Sequence, residues 1–337
     1  MKVLLTVHQF FPEHTSGTEV LTLETAKGLI ALGHDVRVVT GFYRHEQISD
    51  TERFDSYEYQ GIKIERFTFS PSPMGGDANF TRLEHRNTLF DQRFASVLDD
   101  FRPDVVHFFH LMRLSASFVD VCKSRGVPTV LTPTDFWFVC PYAQLMLPDH
   151  SICDGPDAGA LNCIRHFMQA NRKVSFPYAW AAAVPDVALR TGLGLVRRNV
   201  HHRLRLPGVL KTLGENARAV ADRLPFLSDK LGAVDRVLVP NQFMWNVLSR
   251  YGMNVDRAVL QPYGINLDYQ HNVARKPSPA LRVGFIGTLA KHKGAHVLIE
   301  AVKRLPGVAC ELKIYGRFID DPFHRRSGIR APDPGAG

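Results

Sequence analysis

An α/β fold built on parallel sheet is predicted for this 337-residue chain, and three observations predict it. Short apolar runs alternate with helix-patterned stretches from the first residues onward: residues 3–7, 19–31 and 35–40 read as strand, helix, strand. Two strands joined by a helix make a βαβ unit. Polar residues then follow directly on several of the predicted strands, at His8, His110 and Thr134–Asp135. Parallel strands place their carboxyl ends together, so these residues should open on one edge of the sheet. Finally, RVGFIGTLAKHKGAHVLIEA at 282–301 repeats the strand–turn–helix plan late in the chain, after a polar, proline-bearing interval.

Taken in order, residues 11–18 form a loop with Pro12, Ser16 and Gly17, and Gly33 closes the first helix because glycine tolerates the left-handed cap. Residues 42–60 show little pattern, 62–69 alternate as a strand, and SPSPMGG at 70–76 is turn-rich. A helix is predicted over 81–99, a strand over 105–109, a helix over 111–124 closed by Gly126, and a strand over 129–132. Within 136–235, helices are expected near 161–173 and 209–223 around a poorly patterned middle. Residues 237–239 read as a strand, and Asn241, a favourable N-cap, opens a helix ending near Gly252. These elements place a first domain at 1–265, a linker at 266–279 and a second domain at 280–337. The second has strands at 283–286 and 310–315 and a helix at 295–304, with no strand or helix pattern beyond Gly316. So short an α/β unit lies near the lower limit for an independent core. It is expected either to lean on the first domain or to have lost its C-terminal part.

A composition of 45% hydrophobic and 22% charged residues is that of a globular chain. The net charge of +8 favours anionic partners. No Arg-rich tail, zinc-finger or helix-turn-helix pattern points to nucleic acid, which is set aside. The apolar run at the N-terminus is broken by His8 and Gln9, unlike a signal peptide. No run reaches membrane-span length, and a cytoplasmic location is expected.

Chemistry concentrates first around Gly287, Thr288, Lys293 and Gly294. Unpaired N–H groups at a helix start and a nearby lysine form an anion site, so a phosphate-bearing ligand is expected. The spacing is neither the dinucleotide fingerprint nor a Walker loop, and the alternative is an ordinary βα turn with a surface lysine. Cys140, Cys153, Cys163 and His166 share one loop, 136–170. Three thiolates and an imidazole suit a closed tetrahedral zinc site that would pin a loop with little apolar content; the alternative is three unrelated reduced thiols. Cys122 and Cys310 read as ordinary core residues. Arg197, Arg198, His201, His202, Arg203 and Arg205 stud an amphipathic run over 190–205. Its basic face suits either peripheral contact with an anionic membrane or solvent.

Several separate stretches carry a family resemblance: Phe11-Pro12 with Ser16-Gly17-Thr18-Glu19, LIALGHDVRVVT, Thr134-Asp135-Phe136-Trp137, VPNQFMWNVLSRYG, PYGIN at 262–266 and GFIGTLAKHKGAHVLIEA. Their kinds and order resemble glycosyltransferase family 4, retaining enzymes of GT-B type. The resemblance implies a complete N-terminal Rossmann-like domain, for the acceptor, and a second, here incomplete, Rossmann-like domain for a UDP- or GDP-linked nucleotide sugar. Lys293 matches the family's phosphate-binding lysine, and Thr288 stands where an arginine often is. Gly17 matches the glycine loop near the diphosphate. His110 resembles the histidine near the transferred sugar, and Asp135 a polar residue at the cleft edge. Each also has a structural alternative: a strand-end histidine, a turn glycine, a turn-capping aspartate. Glu19 reads as a first-turn acid favoured by the helix dipole. Some relatives share the cysteine pattern, with His166 here in place of a last cysteine. The family's E-x7-E segment has no counterpart after Gly316. The expected function is therefore transfer of a sugar to a polysaccharide, glycolipid or similar lipid-linked acceptor. The competing expectations are a truncated, inactive relative that retains acceptor-domain or interaction function, and a nucleotide-binding protein of another kind.

Overall fold

The first strand, β1 (Lys2–Val7), is buried from Val3 onward and lies at the centre of an eight-stranded sheet ordered β3-β4-β2-β1-β5-β6-β7-β8. This computed structural model describes residues 1–147, 149–157, 159–171, 176–197, 208–264 and 277–316. Strands β2 (Asp35–Tyr43), β4 (Ile62–Phe69), β5 (Val105–Phe108), β6 (Thr129–Leu131), β7 (Arg236–Val239) and β8 (Ala258–Leu260) run parallel to β1. Successive residues of a strand point to opposite faces, and here both faces are covered. Val3, Leu5 and Val7 pack with Leu23 and Ala26 of helix α1 (Gly17–Ala31). Leu4 packs on the other face with Phe90, Phe94 and Phe118. Burial on both faces is the condition under which a parallel sheet is stable.

The structure departs from the sequence expectations where tertiary contacts decide. The unpatterned segment 42–60 contains β3 (Phe54–Tyr59), antiparallel to β4. Its polar residues suit a sheet edge, and Gln60 and Gly61 turn the hairpin with φ of 51° and 78°. The helix expected at 81–99 is two helices, α2 (Phe80–Leu83) and α3 (Thr88–Phe101). The break is at Asn87, whose side chain accepts the Phe90 N–H and starts a new helix. The helix expected at 111–124 shortens to α4 (Phe118–Ser124).

The stretch 136–235 folds into α5 (Leu161–Asn171), α6 (Phe176–Ala183), α7 (Asp186–Arg197) and α8 (Gly208–Ala233). Helix α8 runs beyond its expected end and carries Pro225 inside it. Helix α9 (Gln242–Arg250) starts at Asn241, whose side chain accepts the Met244 N–H at 2.8 Å.

The chain divides into two compact units, Met1–Asn266 and Leu267–Gly337. In the second, β9 (Leu281–Ile286) pairs in parallel with β10 (Cys310–Tyr315), and helix α10 (Ala295–Lys303) connects them. Residues 266–276 of the expected linker, 198–205 of the basic run and the segment after Gly316 lie outside the described residues.

Candidate functional site

Three strand ends build the site of the first unit. Strand β1 delivers His8, β5 delivers His110, and β6 leads to Thr134 and Asp135. His110 is 3% exposed. Its Nδ1 accepts the Met112 N–H at 3.1 Å, so the ring proton sits on Nε2, which donates to Asp135 Oδ2 at 3.0 Å. Asp135 Oδ1 accepts the Trp137 N–H at 2.8 Å. Burial pushes the Asp135 carboxyl up, but His110, the Trp137 N–H and Arg223 outweigh it, and the net direction is down. Asp135 is thus an ionised carboxylate, partly open to solvent and fixed in orientation. Both His110 nitrogens are occupied, so this histidine positions Asp135.

The His8 ring packs against that of His110, tilted by 42° with ring centroids 4.2 Å apart. Burial, then His110, Arg113 and His14, hold its pKa well below the usual imidazole value. Its Nε2 lies 3.9 Å from Glu19 Oε1. Glu19 is fully buried, and neither carboxylate oxygen has a hydrogen-bond partner. It stands in the first turn of α1, where the dipole favours an acid. An exposed first-turn acid and a buried one look alike in sequence, so its burial had no signal there.

Gly17 is the first residue of α1, and a Cβ added there would meet nothing within 4 Å. The protein itself therefore does not require glycine at this place. The Thr18 hydroxyl donates to Thr134 Oγ1 at 3.0 Å, fastening the start of α1 to the loop bearing Asp135. Tyr263 of the PYGIN stretch donates to the Pro133 carbonyl at 2.6 Å and braces the same loop.

Arg223 on α8 was not singled out by the sequence. Its guanidinium lies over the Trp137 ring at 5.1 Å, and Nη2 donates to the Trp137 carbonyl, whereas Nη1 has no partner. Burial depresses its pKa to about 10.

The second unit holds Gly287, Thr288, Lys293 and Gly294 on one turn between β9 and α10. Lys293 is exposed and ends a short 3-10 turn, and Gly294 takes φ 79° as the N-cap of α10. No described carboxylate forms an ion pair with Lys293. The Val297 N–H donates to the Gly294 carbonyl at 2.9 Å, so the turn sets an exposed cation, Lys293, beside the start of α10.

The arrangement of the cysteine loop lends the zinc expectation no support among the described residues. Cys140, Cys153, Cys163 and His166 do line one cavity of about 10 Å³. Among the described residues, however, no three His, Cys, Asp or Glu side chains are arranged to hold a metal ion. The Cys153 thiol faces the Gly155 carbonyl at 3.8 Å, and His166 stacks on Tyr142 at 4.3 Å. Burial and the neighbouring Cys140 and Cys153 push the Cys163 thiol up to about 12. Apolar burial of Trp137, Phe138, Val139, Leu145, Leu161 and Ile164 also pins the loop. No helix among the described residues is long and apolar enough to cross a membrane.

Residues 16–161 match the family model for a glycosyl transferase 4-like domain. An uncharacterized 42.6 kDa protein in the cps region of Klebsiella pneumoniae is 26% identical over 156 residues, 43% of this chain and 39% of that protein. The chain thus matches about two fifths of the length of this curated relative. An E. coli trehalose-6-phosphate structure bound with UDP-2-fluoro glucose superposes with TM-score 0.47 at 10% identity, covering 97% of this chain and 68% of that one. The lipopolysaccharide outer core galactosyltransferase WaaB, in apo form, gives TM-score 0.46 at 11% identity, covering 98% and 66%. The matched segment spans β1's exit loop through the start of α5 and encloses Gly17, His110 and Asp135, so these residues lie in a stretch similar to a glycosyl transferase 4-like domain, within the first of two α/β units.

Proposed function

We propose that this protein transfers a sugar, with retention, from a UDP- or GDP-linked donor to a polysaccharide, glycolipid or similar acceptor. The observation that carries the reading is an ionised Asp135, held by His110 inside the segment that matches the glycosyl transferase 4-like domain. As the bond to the nucleotide breaks, positive charge develops at the anomeric carbon and negative charge on the diphosphate. Asp135 suits an acceptor hydroxyl, whose proton must leave during transfer. Lys293, beside the start of α10, suits the diphosphate, where a preorganised donor stabilises developing charge. A second reading keeps acceptor or partner binding without turnover. It is favoured by a second unit whose described residues hold two strands and one α-helix.

Calorimetric titration with UDP- and GDP-sugars, with product analysis on an acceptor panel, separates the two. Transfer is expected together with nucleotide binding, and Lys293→Ala should weaken that binding by about tenfold or more, as loss of a charged hydrogen bond implies. Nucleotide binding without turnover favours the second reading. Equal nucleotide affinity in the Lys293 variant removes that residue from the site.

A further inference from the structure

A cleft of about 1350 Å³ opens in the first unit, between the ends of β2 and β4, helix α2 and helices α5, α6 and α8. It exceeds the ~300–1,000 Å³ that encloses a drug-sized ligand. Arg113 belongs to its wall and lies near enough to His8 to depress that imidazole, so the cleft adjoins the site around Asp135.

The lining pairs flat aromatic faces with planar polar groups. The Arg113 guanidinium lies 4.7 Å over the Tyr43 ring, and that of Arg86 lies 5.4 Å over Phe226. Asn216 accepts the Thr81 hydroxyl at 3.2 Å and donates to Tyr178 at 2.7 Å, tying α2, α6 and α8 together around the cleft. A sugar ring presents an apolar C–H face edged with hydroxyls. Aromatic faces take the first, and guanidinium and amide groups take the second in pairs.

The charges are unevenly matched. Asp77 is paired with Arg82 at 2.6 Å, Asp222 with Arg218 at 3.3 Å and Glu84 with Arg113 at 3.4 Å. Arg86 and Arg223 have no ion pair with a described carboxylate, and one Arg223 nitrogen has no partner at all. Glu215, the remaining acid of the wall, has no ion pair with a described cation either, so the wall carries a surplus of one cation, and the exposed Arg86 is where an oxyanion on the ligand would meet it.

We propose that this cleft receives an acidic oligosaccharide acceptor several rings long, with a ring against the exposed Phe80 of its wall and a carboxylate or phosphate on Arg86. The inference rests on the acceptor reading of the first unit given above. Three probes test it by calorimetry on the whole chain: hyaluronan hexasaccharide (carboxylates), pentamannose phosphate, and chitohexaose as the neutral control. At least one acidic probe should bind ten times tighter than chitohexaose, and the one that does assigns the oxyanion. Arg86→Ala, an exposed position, should abolish that preference without changing the thermal unfolding midpoint. Equal binding of the neutral control, no binding of either acidic probe, or an unchanged preference in Arg86→Ala would overturn the proposal. No nucleotide is present in these titrations, so failure of the transferase reading at Lys293 and failure here give different results.

Discussion

His110 and Asp135 divide their work by hydrogen bonding. The histidine spends Nδ1 on the Met112 N–H and Nε2 on Asp135, so the aspartate is the group left facing solvent. Asp135→Asn keeps the shape and removes the anion. Transfer is expected to fall by about 100-fold, the low end of a general-base contribution, with nucleotide affinity unchanged. An Asp135→Asn enzyme with wild-type kcat would make this carboxylate a loop cap only. Sequence reasoning reached both residues because they follow predicted parallel strands, whose ends must converge. It undervalued Glu19 and passed over Arg223, because what singles them out is burial beside groups distant in sequence.

Elements were legible where local periodicity and caps agreed, and illegible where a distant partner decided. The βα unit around Lys293 and the Asn241 helix start were readable for the first reason. Strand β3 was missed because a polar edge strand lacks the apolar alternation of a covered one, and only its pairing with β4 defines it. The SPSPMGG loop was read as turns, yet its order comes from Arg53, fully buried beneath it. That guanidinium donates to the Thr68 carbonyl at 3.1 Å, Ser70 Oγ at 3.0 Å and Ser72 Oγ at 2.7 Å, and its Nε donates to Asp50 at 3.0 Å. Arg53→Met would leave those acceptors buried and unpaired. A loss of about 3 kcal/mol is expected, since each unsatisfied buried group costs on the order of 1–3 kcal/mol. Urea unfolding measures it, and a loss below about 1 kcal/mol would mean that water replaces the guanidinium.

The whole molecule carries an excess of positive charge and several imidazoles that its interior keeps neutral, and the two together set its response to acid. Burial lowers the pKa of His8 well below its usual value, of His85 to about 3 and of His107 to about 4. In the unfolded chain a histidine titrates near 6.5. Between about pH 6 and pH 5 the unfolded state therefore holds protons at His85 and His107 that the folded state refuses, with His8 acting in the same direction, and stability falls as pH falls. Asp91 works the other way: burial raises its carboxyl to about 6, so over the same window the folded state holds one proton that the unfolded state has released. Two imidazoles against one carboxyl leave a balance of about one proton, or about 1.4 kcal/mol lost per pH unit, and His8 steepens the loss. Self-repulsion from the growing net positive charge acts in the same direction. Depressed carboxylates such as Asp135 and Asp77 add to the loss only nearer their own range, below about pH 4. Urea midpoints at pH 7, 6 and 5 should thus drop most steeply in the last interval. A His85→Gln variant, with one fewer refused proton, should show a slope shallower by about 1.4 kcal/mol per pH unit. Stability that stayed level from pH 6 to pH 5 would mean that these imidazoles take up protons inside the fold, and that the close packing of His8 on His110 opens in acid.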